Sequence, residues 1–188
     1  MPAARLVILA SGRGTTLQAV LRDERLGPLV VAAGSDVPGC AALDRAREAG
    51  VPTFAVALPD QPDRATWNAA LADAIAGYRP DLVVLAGFMR VLAPQVVTRF
   101  RIVNTHPSLL PAFPGAHAIR DALAAGATRT GVTVHWVDEG VDTGPVIAQA
   151  EVGIERGDTE ESLRERVQSV EKPLYLAAIR QLCEESLP

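Results

Sequence analysis

Five uninterrupted apolar residues, Leu6 to Ala10, run straight into Ser11-Gly12-Arg13-Gly14-Thr15-Thr16, and Leu17, Val20 and Leu21 then recur at helical spacing. An unbroken apolar run reads as a strand covered on both faces, and one glycine turn converts it into a helix. Backbone N–H groups at such a helix start can hold a phosphate. A dinucleotide fingerprint needs a third glycine where Leu17 stands, so the turn favours a single phosphate group over a dinucleotide. A plain tight turn explains the same glycines.

The alternation of strand and helix continues. Residues 29–33 read as a second strand, residues 39–49 as a helix with Leu43 and Ala46 inward, and residues 53–57 as a short third strand. Asp63 suits the cap of a helix whose stripe is Trp67, Leu71, Ala74, Ile75 and Tyr78, with Trp67 in the core. Arg64 falls in the first turn, where a cation opposes the helix dipole, so it is either a ligand contact or a solvated arginine. Residues 82–86 form the clearest strand, followed by Gly87-Phe88-Met89-Arg90-Val91-Leu92. Met89 to Leu92 suits an apolar slot for a flat ring, and packing under a loop explains it as well.

Residues 118–125 read as a helix, and residues 131–137 and 145–152 as a hairpin-like strand pair around an acidic, glycine-rich loop. Asp158 and Glu161 resemble a capping box for the last helix, with Leu163, Val167 and Val170 inward. Pro173 predicts a kink or break near Glu171. The pattern predicts one α/β domain: a Rossmann-like, doubly wound, mostly parallel sheet with helices on both faces and a C-terminal antiparallel strand pair. Ligands bind such sheets outside the carboxyl ends of the strands, where Gly12, Gly87 and Asn104 all fall.

A net charge of -4 gives no general attraction to nucleic acid or to an anionic membrane, so any phosphate must be caught locally. The two cysteines, Cys40 and Cys183, lie far apart in no metal-ligand spacing, and the expectation is reduced thiols in a cytoplasmic protein. The longest apolar run, residues 82–89, is too short to span a membrane.

The chemistry concentrates in Asn104-Thr105-His106-Pro107-Ser108-Leu109-Leu110-Pro111. Side chains alternate along a strand, so Asn104 and His106 share a face. An asparagine amide can donate to an oxyanion at an acyl carbon, and a cationic histidine can add a donor and pass a proton. Such a histidine needs a carboxylate partner; Asp142 in the glycine-rich loop is the best candidate, with Asp138 and Glu139 nearby. A solvated acidic turn is the alternative. His135, inside a strand, and His117, at a helix start, read as structural. Ser11 lacks the nucleophile elbow and no metal-ligand spacing occurs, so the chemistry expected is direct attack of one substrate on another.

Four segments resemble the phosphoribosylglycinamide formyltransferase family: Ser11 to Gln18, Leu85 to Arg90, Asn104 to Pro111, and Val141-Asp142-Thr143-Gly144-Pro145. The likeness runs in order through nearly the whole chain, and the Asn-x-His-Pro-Ser-Leu-Leu-Pro motif is specific to folate-dependent formyltransferases and hydrolases. Methionyl-tRNA formyltransferase carries a further C-terminal domain and the folate hydrolase a further N-terminal one; the expectation from 188 residues is that this chain carries neither. The resemblance implies that 10-formyltetrahydrofolate, a co-substrate, donates its formyl group to the amine of glycinamide ribonucleotide in purine biosynthesis, with no metal. A hydrolase releasing formate from the same folate is the alternative.

Asn104, His106 and Asp142 match the family's catalytic positions. Gly14, Thr15 and Thr16 match the phosphate turn, and Glu171 a contact to the ribose and glycinamide part. Arg64, Met89, Arg90, Val91 and Leu92, with Asn104 and the loop Asp138, Glu139, Gly140, Val141 and Asp142, match the folate side. His135 matches a supporting histidine. An N-terminal half of about residues 1–100 would bind the nucleotide phosphate, and residues 101–188 would carry catalysis and folate binding. A monomer or homodimer acting on small molecules is expected. Arg13 and Thr16 stand where Asn is frequent in the family and Ala112 where a basic residue is frequent, leaving one cation fewer for the phosphate.

Overall fold

A computed structural model describes residues 4–185. They divide into two compact units, residues 4–103 with 179–185, and residues 104–178. The first holds strands β1 (Leu6–Leu9), β2 (Val30–Ser35), β3 (Thr53–Ala55) and β4 (Leu82–Leu85), and the start of β5 (Ile102–His106). Their hydrogen-bonded order is β3-β2-β1-β4-β5, and every pairing is parallel. Four helices connect them: α1 (Thr15–Arg22), α2 (Ala41–Glu48), α3 (Arg64–Ala76) and α4 (Pro94–Val97).

From β1 the chain winds outward through β2 to β3, then returns beside β1 and winds the other way through β4 to β5. Right-handed crossovers in opposite directions put their helices on opposite faces, which gives the doubly wound form. All four β1 residues are buried, which is why that run carries no polar residue. The winding reverses between β1 and β4, where the Ser11 amide donates to the Gly87 carbonyl at 3.1 Å.

Asp63 caps α3, accepting from the Thr66 amide at 2.7 Å. Trp67 is fully buried, with its indole N–H donated to the Val56 carbonyl at 2.8 Å, so it belongs to the core. In the second unit the order is β5-β6-β7, with β6 (Arg129–Trp136) and β7 (Val146–Gly153) antiparallel. The unit also holds α5 (Ala118–Ala124) and most of α6 (Glu160–Glu185). Its core joins Ile119, Val132, Val152, Leu163 and Val167. Burying each such side chain stabilises by about 1.5–3 kcal/mol.

Two expectations need correcting. The cap of α6 is not the Asp158/Glu161 pair. The helix starts at Glu160, so Thr159 takes the capping position: its hydroxyl accepts from the Ser162 amide at 3.1 Å, and the Ser162 hydroxyl accepts from the Thr159 amide at 3.0 Å. Asp158 instead accepts two hydrogen bonds from Arg166, at 2.7 and 2.9 Å, and this guanidinium holds its carboxyl well below the usual carboxylate range. Of the kink or break expected near Glu171, the break does not occur, since α6 runs on through Pro173 to Glu185. Proline removes one N–H from the ladder, and buried residues on both sides, Leu163 and Val167 before it and Tyr175, Ile179 and Leu182 after it, hold the helix together.

Candidate active site

Strand β5 delivers Asn104 and His106, on one face, into the second unit, and His106 is 5% exposed. The next turn is fixed by a buried hydroxyl. Thr133 of β6 donates to the Ser108 carbonyl at 2.7 Å and accepts from the Leu110 amide at 3.0 Å and the Gln149 amide at 2.8 Å. All the hydrogen-bonding capacity of that hydroxyl is used. The Leu110–Pro111 peptide is cis, and Phe113 sits at φ 52°. A left-handed backbone is unusual for an aromatic residue. The turn aims the Phe113 carbonyl at His106, whose Nε2 donates to it at 2.8 Å.

The other ring nitrogen, Nδ1, lies 3.3 Å from Asp142 Oδ2. Both nitrogens thus face oxygen acceptors, and only a ring with a proton on each can donate to both. Asp142 also sits at a left-handed φ, 55°, and its Oδ2 accepts from the Gly115 amide at 2.8 Å. The loop that carries it closes tightly. A side chain at Gly144 would meet the Trp136 carbonyl oxygen at 1.8 Å, and one at Gly140 the Thr143 hydroxyl at 2.0 Å. Asp138 accepts from that hydroxyl at 2.7 Å and from the Gly140 amide at 3.1 Å.

His135 completes the group. Its Nδ1 donates to the Trp136 carbonyl at 2.9 Å, which leaves Nε2 to accept from the Asn104 amide nitrogen at 3.4 Å. Asp142 Oδ1 lies 3.6 Å from the same Nε2. The structure therefore brings Asn104, His106, His135 and Asp142 together in a largely buried cluster. His117 is exposed at the N-terminus of α5 and takes no part. Glu171 lies in α6, where burial pushes its carboxyl up, partly offset by Lys172. Glu139 and Val141 are exposed on the loop.

The remaining candidates belong to the first unit. Gly14 precedes α1 at φ 69°, and a Cβ there would lie 2.6 Å from Ala42 Cα, so both backbone and space require glycine. No side chain caps α1 and no acidic residue stands in its first turn, an arrangement that suits an anion at the N–H groups of Thr15 and Thr16. Arg64 Nη2 donates to the Val91 carbonyl at 2.5 Å, and its guanidinium carbon lies 4.5 Å from the Trp67 ring centroid. Met89 and Val91 are strongly exposed, while Leu92 is buried. Among the described residues no group of three or more His, Cys, Asp or Glu side chains could hold a metal ion. No helix of these residues is long and apolar enough to cross a membrane.

The profile of the family described as formyl transferase matches residues 4–179. The chain belongs to the formyl transferase family. A phosphoribosylglycinamide formyltransferase of Mycobacterium tuberculosis is 52% identical over 184 residues, 95% of this chain and 85% of that protein. The crystal structure of glycinamide ribonucleotide transformylase 1 from Symbiobacterium toebii superposes with a TM-score of 0.92 at 45% identity, covering 97% of this chain and 89% of that one. The trifunctional purine biosynthetic protein adenosine-3 of Drosophila melanogaster is 43% identical over 185 residues, 95% of this chain and 14% of that protein. This member of the formyl transferase family also uses groups that its sequence did not signal. They are the Phe113 and Trp136 carbonyls, the Gly115 amide and the Thr133 hydroxyl. Backbone groups leave no trace in residue identity, and a threonine in a strand looks like ordinary strand composition.

Proposed function

We propose that this formyl transferase moves the formyl group of 10-formyltetrahydrofolate onto the amine of glycinamide ribonucleotide, in de novo purine biosynthesis. The observation that carries the chemistry is the His106 ring, held by an acceptor on each nitrogen beside the Asn104 amide. The hydrolase reading is not favoured, because the relative at 52% identity and the solved structure at 45% are both named for transfer.

The acceptor's amine attacks the formyl carbon and forms the new C–N bond. The carbonyl becomes an oxyanion, and Asn104, with one amide hydrogen on His135, offers its second hydrogen to it. Collapse breaks the bond to the folate nitrogen, which takes up a proton as the attacking nitrogen loses one. His106 is the acid that supplies a proton, and Asp142 pairs with the resulting charge changes and fixes the ring's orientation. Little bond chemistry falls to the protein itself, and positioning the two substrates supplies much of the acceleration.

In the first unit, Arg64, Met89, Arg90, Val91 and Leu92 are the folate contacts of this reading, and Gly14, Thr15 and Thr16 hold the acceptor's phosphate on the α1 amides and the two threonine hydroxyls. In the second, Asn104 and residues 138–142 contact folate, and Glu171 contacts the ribose and glycinamide part. The N-terminal half of the chain thus serves the phosphate and the C-terminal half the catalysis, in a cytoplasmic monomer or homodimer. Replacing Thr15 and Thr16 together by alanine is expected to raise the KM for glycinamide ribonucleotide about tenfold, since two side-chain donors to an anion are lost. The KM for the folate should stay within twofold. Steady-state kinetics with each substrate varied checks this, and an unchanged ribonucleotide KM would mean that the phosphate binds elsewhere.

A further inference from the structure

Asp36 lies one residue past β2 and is 3% exposed, with its side chain completely covered. Its two oxygens serve two different loops of the first unit. Oδ1 accepts from the Ser11 hydroxyl at 2.5 Å, and Oδ2 accepts from Arg90 Nε at 2.7 Å. The Ser11 hydroxyl in turn accepts from the Met89 amide at 2.8 Å. One buried carboxylate therefore joins the residue before the glycine turn, the end of β2 and the Met89–Arg90 segment after β4. Buried polar oxygens need such partners, and removing either partner leaves one of them unsatisfied. The Arg90 side chain is 39% exposed although its Nε is bound to a covered acid, so one edge of the guanidinium is anchored while the remainder faces outward.

We infer that Asp36 is a positioning residue for the folate donor: through Ser11 and Arg90 it sets the backbone and guanidinium of the Met89–Val91 segment, and so the affinity for 10-formyltetrahydrofolate. This rests on the reading above that Met89, Arg90 and Val91 contact folate. Asp36 touches neither substrate in that reading and acts only through the segment it holds. An aspartate in Ser35-Asp36-Val37-Pro38-Gly39 reads in sequence as a solvated turn residue, and only the fold reveals its partners 25 and 54 positions away.

The test is a double-mutant cycle of Asp36→Ala and Arg90→Ala, read as the KM for each substrate, kcat, and thermal midpoint. Asp36→Ala should raise the folate KM about tenfold while kcat and the ribonucleotide KM stay within about threefold, as loss of one charge-assisted bond implies. Arg90→Ala should raise it by a similar factor, and the double variant should rise no further than the larger single one. A purely structural Asp36 would lower the thermal midpoint without separating the two KM values. If Arg90→Ala raises the folate KM and Asp36→Ala does not, or if the two effects multiply to about a hundredfold, the positioning role is overturned. If neither substitution changes the folate KM, the folate reading of this segment falls together with the inference. Should Asp36→Ala fail to fold, Asp36→Asn keeps the volume and one acceptor, and should still raise the folate KM about threefold. An unchanged value there overturns the inference equally.

Discussion

Replacing His106 by alanine is expected to lower kcat on the order of a thousandfold, the range that a positioned general acid contributes. The imidazole is the only side chain in the cluster that meets both the Phe113 carbonyl and the Asp142 carboxylate. Alanine removes the proton source and leaves Asp142 half-shielded beside an empty space. Stability should fall too, by about 1–3 kcal/mol, because a buried acceptor loses its donor. Folate binding should survive, since the loop that carries Asp142 is also closed by Asp138, Thr143 and the Gly144 approach to Trp136. Single-turnover rates, circular dichroism and a folate Kd on the same sample separate these effects. A kcat within threefold of the parent, in a folded variant, would take His106 out of the mechanism.

Asp142→Asn should cost about a hundredfold or more in kcat while the fold stays intact, by the logic of an acid–histidine pair in which the acid loses its charge. Asparagine tolerates the left-handed backbone at φ 55° and can still accept from the Gly115 amide. What it removes is the negative charge facing His106 Nδ1. If its amide group turns toward the ring, two donors meet and the imidazole is driven into another orientation or tautomer. The thermal midpoint should therefore move by only a few degrees while turnover collapses. A variant that keeps more than a third of the parent's kcat would show that charge at position 142 is dispensable.

Much of this molecule is legible in its sequence because its physics is local. The runs at Leu6 to Ala10 and Leu82 to Ala86 are apolar throughout because both faces of β1 and β4 are covered. The antiparallel pair of β6 and β7 shows in the alternation around Val132 and Val134. Alternation alone also puts Asn104 and His106 on one face. The cap of α6 reads wrongly by one residue because Asp158 and Glu161 carry the expected side chains, and only the helix start at Glu160 selects Thr159 and Ser162. Pro173 does not break the helix, since a local rule about one N–H meets a helix held by its buried face. The contacts of Asp36 are set by the three-dimensional meeting of distant loops, which no spacing encodes, and the Phe113 carbonyl reaches His106 through the backbone path of the turn after β5, which residue identity does not carry.

The most direct measurement follows a ¹³C-labelled formyl group from 10-formyltetrahydrofolate, with the protein present and with glycinamide ribonucleotide added or withheld. Direct transfer predicts that the label enters the new amide of the acceptor in step with tetrahydrofolate release, and that almost no folate is deformylated when the acceptor is absent. Labelled formate formed at the same rate with and without glycinamide ribonucleotide would contradict it and make water the acceptor.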